Sequence, residues 1–281
     1  MAALDLTAAW PVDHVSAAVV HAGQVVDTVG DTTRPFRLAS VTKPLVAWSI
    51  LVAVEEATLT LDDPAGQPGC TIRHLLSHAG GYAFDGATPI GPPERTRVYS
   101  NTGIEVAARA LVESSGIPMA DYLAEAVLEP LGMDHTALHG SPAHGVTGCV
   151  ADLARFMAEM RQPTVVSVAT RDLAFTSTFP ELSGIVPGVG RFAPCPWGLG
   201  FEVRGNKSPH WTATNNSSRT VGHFGGAGTM LWFDPVADVG LVALTDRPFG
   251  TWALESWPVL GDAVLAEFVE TSTLAWTGDR G

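Results

Sequence analysis

Three short stretches hold residue types that do acyl chemistry. The first is Ser40–Val41–Thr42–Lys43. A serine hydroxyl is a weak nucleophile until a neighbouring base takes its proton. On a helix, positions i and i+3 share a face, so Lys43 lies one turn from Ser40. To act as a base it must be neutral, and burial within an apolar run such as Pro44–Val54 lowers an amine's pKa from roughly 10.4. If Ser40 opens the helix, its backbone N–H is one of the unpaired donors there. The same four residues equally describe a helix cap followed by a solvated lysine.

The second stretch is "VYSNTG", with Tyr99 and Asn101. A tyrosine relays protons when a nearby cation stabilises its phenolate. An asparagine amide donates to a substrate carbonyl with one end and fixes a lysine with the other. A core tyrosine followed by an ordinary helix cap reads the same way. The third is "GHFGGAGTMLWF", with His223, Gly225 and Gly226. Glycines inside a strand mark close approach by another backbone or a ligand. A backbone N–H on such an edge can complete an oxyanion hole with that of Ser40. A bulged strand with a surface histidine is the plainer reading.

The elements that must position these residues follow from periodicity and turn signals. "HVSAAVVHAGQVVDTVG" reads as a hairpin turning at Ala22–Gly23. Ser40–Glu56 reads as a helix, apolar nearly all round and therefore buried. A short helix in "TIRHLLSHAGGYAF" ends at Gly80–Gly81. Further helices are expected over Gly103–Ser115, over Met119–Leu128 and in "VTGCVADLARFMAEMRQ", with Asp152 near the start of the last. The final third changes to strands, "WGLGFEVR", "GTMLWFDP" and "DVGLVALTD", with a turn at Asp234–Pro235, and then a helix around "AVLAEFVE". The order strands, helices, strands, helix predicts an α/β (α+β) fold. Its antiparallel sheet is formed from both chain ends, flanked by helices, with a mainly helical inserted region. Residues 1–57 and 190–281 would hold the sheet and 58–189 the helices, as one unit with the site in the cleft between them.

Composition bounds the partners. With 281 residues, 46% hydrophobic and 16% charged, the chain can bury a substantial core. A net charge of −13 with no basic block disfavours nucleic acid and anionic membranes, which leaves a small-molecule substrate as the expected partner. Cys70, Cys149 and Cys195 form no metal spacing, and the histidines show no HxxEH or HxH pattern. No metal and no other cofactor is expected, and the thiols read as buried and free. The first residues lack a basic start and an apolar core, and no apolar run is long enough to cross a bilayer, so a cytoplasmic location is expected.

Taken in order with their neighbours, the three motifs are more specific than any one alone. With "TLTLDDPAG", "TIRHLLSHAGGY", "EPLGMDHTAL" and "WGLGFEV", they resemble the serine β-lactamase and penicillin-binding-protein superfamily. The branch is the one holding class C β-lactamases, D-aminopeptidases and related esterases. The resemblance implies a β-lactamase/transpeptidase-like fold. It implies Ser40 as the acylated nucleophile and Lys43 as its proton acceptor or electrostatic partner. It implies Tyr99 as relay to the leaving group and Asn101 as a contact for substrate and Lys43. His223 and Gly225 would form the wall beside the acyl group, and the amides of Ser40 and Gly226 the oxyanion hole. Whether Lys43 or Tyr99 is the base stays open, because the two titrate as a coupled pair.

One departure matters. β-Lactamases and D,D-peptidases usually carry lysine where His223 stands. A mostly neutral histidine gives a substrate carboxylate a weaker partner, unless Arg219 points into the cleft. The expected activity is therefore that of a serine hydrolase, foremost an esterase. A D-aminopeptidase, amidase or weak β-lactamase is the alternative, and acyl transfer a variant. A catalytically silent binding or sensor domain is the rival of another class. His78 reads as scaffold. Tyr82, Phe84 and several tryptophans are candidates for the pocket or the core, and Asn215–Arg219 for the rim.

Overall fold

The apolar runs at the two chain ends become the strands of one sheet. The expected hairpin forms from β1 (Val15–His21) and β2 (Gln24–Val29). Both turn residues have positive φ, 51° at Ala22 and 80° at Gly23, the handedness that suits a two-residue hairpin. β3 (Glu202–Val203), β4 (Val221–Gly225), β5 (Thr229–Asp234) and β6 (Val239–Thr245) come from the last third. The strand order is β2-β1-β6-β5-β4-β3, and every pairing is antiparallel. The computed structural model describes residues 2–275, with side chains through residue 268. Residues 276–281 of the C-terminal region lie outside the described residues.

Seven α-helices accompany the sheet among the described residues: α1 (Thr42–Glu55), α2 (Ile72–Leu76), α3 (Asn101–Ser115), α4 (Met119–Leu123), α5 (Val150–Arg161), α6 (Val168–Phe175) and α7 (Thr251–Ala275). None is long and apolar enough to cross a membrane. The central strands are buried on both faces, which is why their sequences are apolar without alternation. Ala17, Val19, Met230, Trp232, Leu241 and Ala243 point to one core, shared with Trp257, Leu260 and Val264 of α7. Ala18, Val20, Leu231, Phe233, Val242 and Leu244 point to the other, shared with α1 and α5. This second core is continuous with the helical region, where α1 is buried from Thr42 to Ala53.

The differences from expectation are local. α1 begins at Thr42, after a 3₁₀ turn over Ala39–Val41 that carries Ser40. Ala39 has φ 47°, so no helical turn runs N-terminal of Ser40, which sits in the short 3₁₀ entry to α1. α2 stops at Leu76 because His78 is left-handed, φ 57°, two residues before the glycines. α3 starts at Asn101, capped by Ser100 Oγ, which accepts from Gly103 N–H at 2.9 Å. "WGLGFEVR" yields only the two-residue β3. Two small sheets were not foreseen: Phe36–Arg37 with Val146–Gly148 and Ala137–Leu138, and Arg97–Val98 with Gly184–Val186 and Gly190–Phe192. They hold the segments that carry Ser40 and Tyr99.

Candidate active site

The 3₁₀ turn bearing Ser40 lies against β4. A Cβ on Gly225 would come within 2.3 Å of the Leu38 carbonyl and 2.4 Å of Thr229 Oγ1. Only glycine lets the strand approach this closely. Gly225 therefore stands behind the turn and is not among the residues lining the cavity; Gly226, next to it, is.

Ser40, Tyr99, Asn101, His223 and Gly226 line one cavity of about 820 Å³. Lys43 is fully buried behind Ser40. Its Nζ has three neighbours: Ser40 Oγ at 3.0 Å, Asn101 Oδ1 at 2.7 Å and the Ala143 carbonyl at 2.9 Å. The two carbonyls can only accept, so each takes one N–H. The remaining position on nitrogen faces the Ser40 hydroxyl. In the neutral amine that position is the lone pair. Burial lowers the pKa of Lys43 to about 7, opposed by the nearby Asp85 and Glu105 carboxylates.

Tyr99 packs its ring beneath the same amine, with Nζ 4.7 Å from the ring centroid. Burial pushes its phenol pKa up, a hydrogen bond with Ser40 counteracts this, and Glu202 adds to the rise. The phenol thus holds its proton. Its oxygen is 3.5 Å from His223 Nε2. His223 Nδ1 is 2.7 Å from the Phe224 carbonyl, so Nδ1 carries the hydrogen and Nε2 is free to accept. Burial, with the Lys43 charge, lowers the His223 pKa to about 3. The residue at this position is a neutral acceptor.

Asn101 is oriented by its other end: Nδ2 donates to Asp85 Oδ1 at 3.0 Å. The loop carrying Asp85 is tied to the first turn of α3 by Ser100 Oγ to the Ala83 carbonyl, 2.6 Å, and Asn101 N–H to the Phe84 carbonyl, 2.8 Å. The Ala143 loop is held by Ser141, whose Oγ donates to Glu105 at 2.6 Å and accepts from Ala143 N–H at 3.1 Å. Neither Asp85 nor Ala143 stands in a motif, and only the folded loops bring them to Lys43. His78 has a scaffold place: its Nδ1 accepts from Ser100 N–H at 3.2 Å, and its ring packs on Tyr99 and Trp197.

Aromatic side chains form one part of the cavity wall. Phe84, Trp197, Phe224 and Phe249 line it. Tyr82 does not; it is buried, and its hydroxyl accepts from Gln67 N–H at 2.7 Å. Trp211 and Trp232 belong to the α7 side of the sheet, and Phe233 to the α1 side. Trp197 is backed by a buried ionic cluster that no motif announces: Glu202 accepts from Lys207 Nζ at 3.0 Å, His210 Nε2 at 3.0 Å and Trp211 Nε1 at 2.7 Å. Lys207 Nζ also donates to the Pro196 carbonyl at 3.1 Å. Arg219 is exposed and does not line the cavity, so it does not replace the missing cation. Asn216 and Ser217 instead donate to Asp234, anchoring their loop to the end of β5.

A match to the Beta-lactamase family covers residues 12–265. The chain belongs to the Beta-lactamase family. This Beta-lactamase-family fold is similar to the crystal structure of a beta-lactamase from Mycobacterium bovis, with TM-score 0.93 and 50% identity over 95% of this chain and 99% of that one. Penicillin-binding protein 4* of Bacillus subtilis is 28% identical over 38% of this chain and 31% of its own. Esterase EstB of Burkholderia gladioli is 28% identical over 60% of this chain and 45% of its own. The aligned parts thus span less than half the length of these two curated relatives. The mixed fold with its antiparallel sheet is that of the family, whose members are typically serine hydrolases.

One group away from the cavity has metal-ligand types: His135, Cys149 and Asp152 place ligand atoms within 4.8 Å of one another. Asp152 already accepts from His135 N–H at 2.8 Å, Thr136 Oγ1 at 2.8 Å and Arg155 at 2.9 Å. Its lone pairs serve the start of α5.

Proposed function

We propose that this chain is a serine hydrolase that forms an acyl-enzyme on Ser40 and acts on carboxylic esters of small or medium acyl groups. The observation that carries the reading is the setting of Lys43. Two carbonyl acceptors consume two N–H bonds, and the third position of a nitrogen with pKa about 7 is directed at the Ser40 hydroxyl. A solvated lysine or a simple helix cap needs none of this.

In the proposed sequence, Ser40 Oγ bonds to the ester carbonyl carbon as its proton passes to Lys43 Nζ. The carbonyl oxygen becomes an oxyanion and is met by the backbone N–H groups of Ser40 and Gly226. The bond to the leaving oxygen then breaks. Tyr99, which holds its proton at neutral pH, gives it to that oxygen, and the Lys43 ammonium restores the phenol. Water then attacks the acyl carbon as Lys43 takes one of its protons; the bond to Ser40 Oγ breaks, that proton passes to Ser40 Oγ, and the carboxylic acid leaves. Asn101 holds Lys43 with its carbonyl end, and His223 accepts from Tyr99 to fix the phenol. The aromatic part of the lining suits an apolar portion of the substrate.

A fluorophosphonate probe and a panel of p-nitrophenyl esters, nitrocefin and D-aminoacyl anilides test this. Wild type should be labelled on Ser40 and cleave the esters fastest, and Ser40→Ala should do neither. Unlabelled protein with Ser40→Ala fully active would overturn the reading. The 50% identical beta-lactamase of M. bovis gives β-lactam hydrolysis standing as a second reading. Nitrocefin turnover exceeding ester turnover would select it.

A further inference from the structure

We propose that the cavity binds substrates bearing a carboxylate, held by Arg34 and Arg37. This deepens the serine-hydrolase reading of the same site and rests on it. Four side chains with full charges line the cavity: Arg34, Arg37, Asp85 and Asp246. The two acids are engaged. Asp246 accepts from His14 N–H at 3.0 Å and faces His14 Nδ1 at 2.6 Å, and Asp85 accepts from Asn101 Nδ2 at 3.0 Å.

The two cations are not matched in this way. Among the described residues Arg37 has no hydrogen-bond acceptor and no ion-pair partner for its guanidinium, and it is exposed. Arg34 lies over the Phe36 ring at 5.8 Å and forms no ion pair with a carboxylate among the described residues; Asp31, which feels its charge, accepts from Thr33 N–H and Oγ1 at 2.9 and 2.7 Å. Arg37 is three residues before Ser40, on a strand pinned to Thr147 and Gly148. The backbone of Arg37 is thus held close in the chain to the nucleophile candidate, and both arginines line the same cavity as Ser40, within a protein of net charge −13.

A guanidinium presents a planar fork of donors that matches a carboxylate. The wall where relatives carry a cation offers only the neutral His223. Among the described residues neither guanidinium has a hydrogen-bond acceptor, and a substrate carboxylate would supply one. The overall negative charge disfavours random anion binding, so affinity arises only where the pair is local.

The test compares kcat/KM for mono-p-nitrophenyl glutarate against p-nitrophenyl butyrate, and for 3-carboxy-4-nitrophenyl acetate against p-nitrophenyl acetate. The first pair places the carboxylate on the acyl group and the second on the leaving group. The enzymes are wild type, the Arg34→Gln/Arg37→Gln double variant and Arg219→Gln, whose arginine is outside the cavity. The anionic-to-neutral ratio should fall about tenfold or more in the double variant for at least one pair, and stay unchanged in Arg219→Gln. If the double variant does not fold, the wild-type ratio decides: it should drop between about 0.05 and about 0.5 M salt. Ratios unmoved in both pairs overturn the carboxylate site. If neutral esters are still cleaved in a Ser40-dependent way, the hydrolase reading survives that result. No ester cleavage by wild type would instead overturn the hydrolase reading.

Discussion

Replacing Asp85 with asparagine should move the acidic limb of the pH–rate profile to lower pH. The carboxylate reaches Lys43 through one amide: Asp85 Oδ1 accepts from Asn101 Nδ2, and Asn101 Oδ1 accepts from Lys43 Nζ. An asparagine at position 85 keeps an acceptor for Nδ2 and removes only the charge. Two unit charges ~7 Å apart interact by about 0.6 kcal/mol in water and about 2.4 kcal/mol at an effective dielectric of ~20. Asp85 is exposed and Lys43 buried, so the interaction falls between these limits. At 1.36 kcal/mol per pH unit, that is between roughly 0.4 and roughly 1.8 units. The sign follows from the charges. Asp85 favours the ammonium and holds the Lys43 pKa up against burial, so its loss lowers that pKa from about 7. The base is then free at lower pH. kcat/KM for a neutral p-nitrophenyl ester, measured from pH 4 to 9, should show the limb displaced down in Asp85→Asn, and raised salt should shrink the difference. A limb that moves up, or stays in place in a folded variant, would mean that Lys43 is not the group whose deprotonation it reports.

Lys43→Met should lower acylation by about 10²–10⁴-fold while raising stability. Because the folded pKa is below the unfolded value of 10.5, the unfolded chain binds more protons between pH 7 and that value, and wild-type stability rises with pH there. Calorimetry should find the variant more stable by about 2 kcal/mol or more at pH 6, with the gap closing near pH 10.5; a pH-independent gap would contradict the buried amine. Tyr99→Phe should cut turnover of alkyl esters by about 100-fold or more and barely touch p-nitrophenyl esters, whose leaving group departs without a proton. Equal losses on both would remove the phenol from leaving-group protonation. Gly225→Ala should cost about 2–3 kcal/mol in urea melts and slow Ser40 acylation, because the new methyl drives the strand from the Leu38 carbonyl.

The sheet was legible because its strands are long, apolar and bounded by clear turns, as at Ala22–Gly23 and Asp234–Pro235. α1 was legible from its length and uniform apolarity, though its first turn was not. The left-handed Ala39 depends on Leu38 docking against Gly225, a contact between chain segments far apart. The same holds for Asp85 and Ala143: each lies in an irregular loop with no periodicity, and each matters only through Lys43. The small sheets have strands of two or three residues, too short for any pattern. Arg219 shows the reverse error, where nearness in sequence to His223 suggested nearness in space. Its loop is drawn instead to Asp234, an acceptor that strand patterning does not reveal.

The place of β1 in the sheet, between β2 and β6, has a consequence for how the protein comes to exist. One edge of β1 is satisfied at once by its neighbour β2, but the other pairs with β6, Val15 opposite Thr245, nearly the whole chain later. On the ribosome the hairpin and the apolar α1 emerge long before the strands and α7 that cover them. Until then they present bare edges and oily faces to other nascent chains. Assembly of this sheet is a late, non-local event, slow for topological reasons and dependent on protection while it waits.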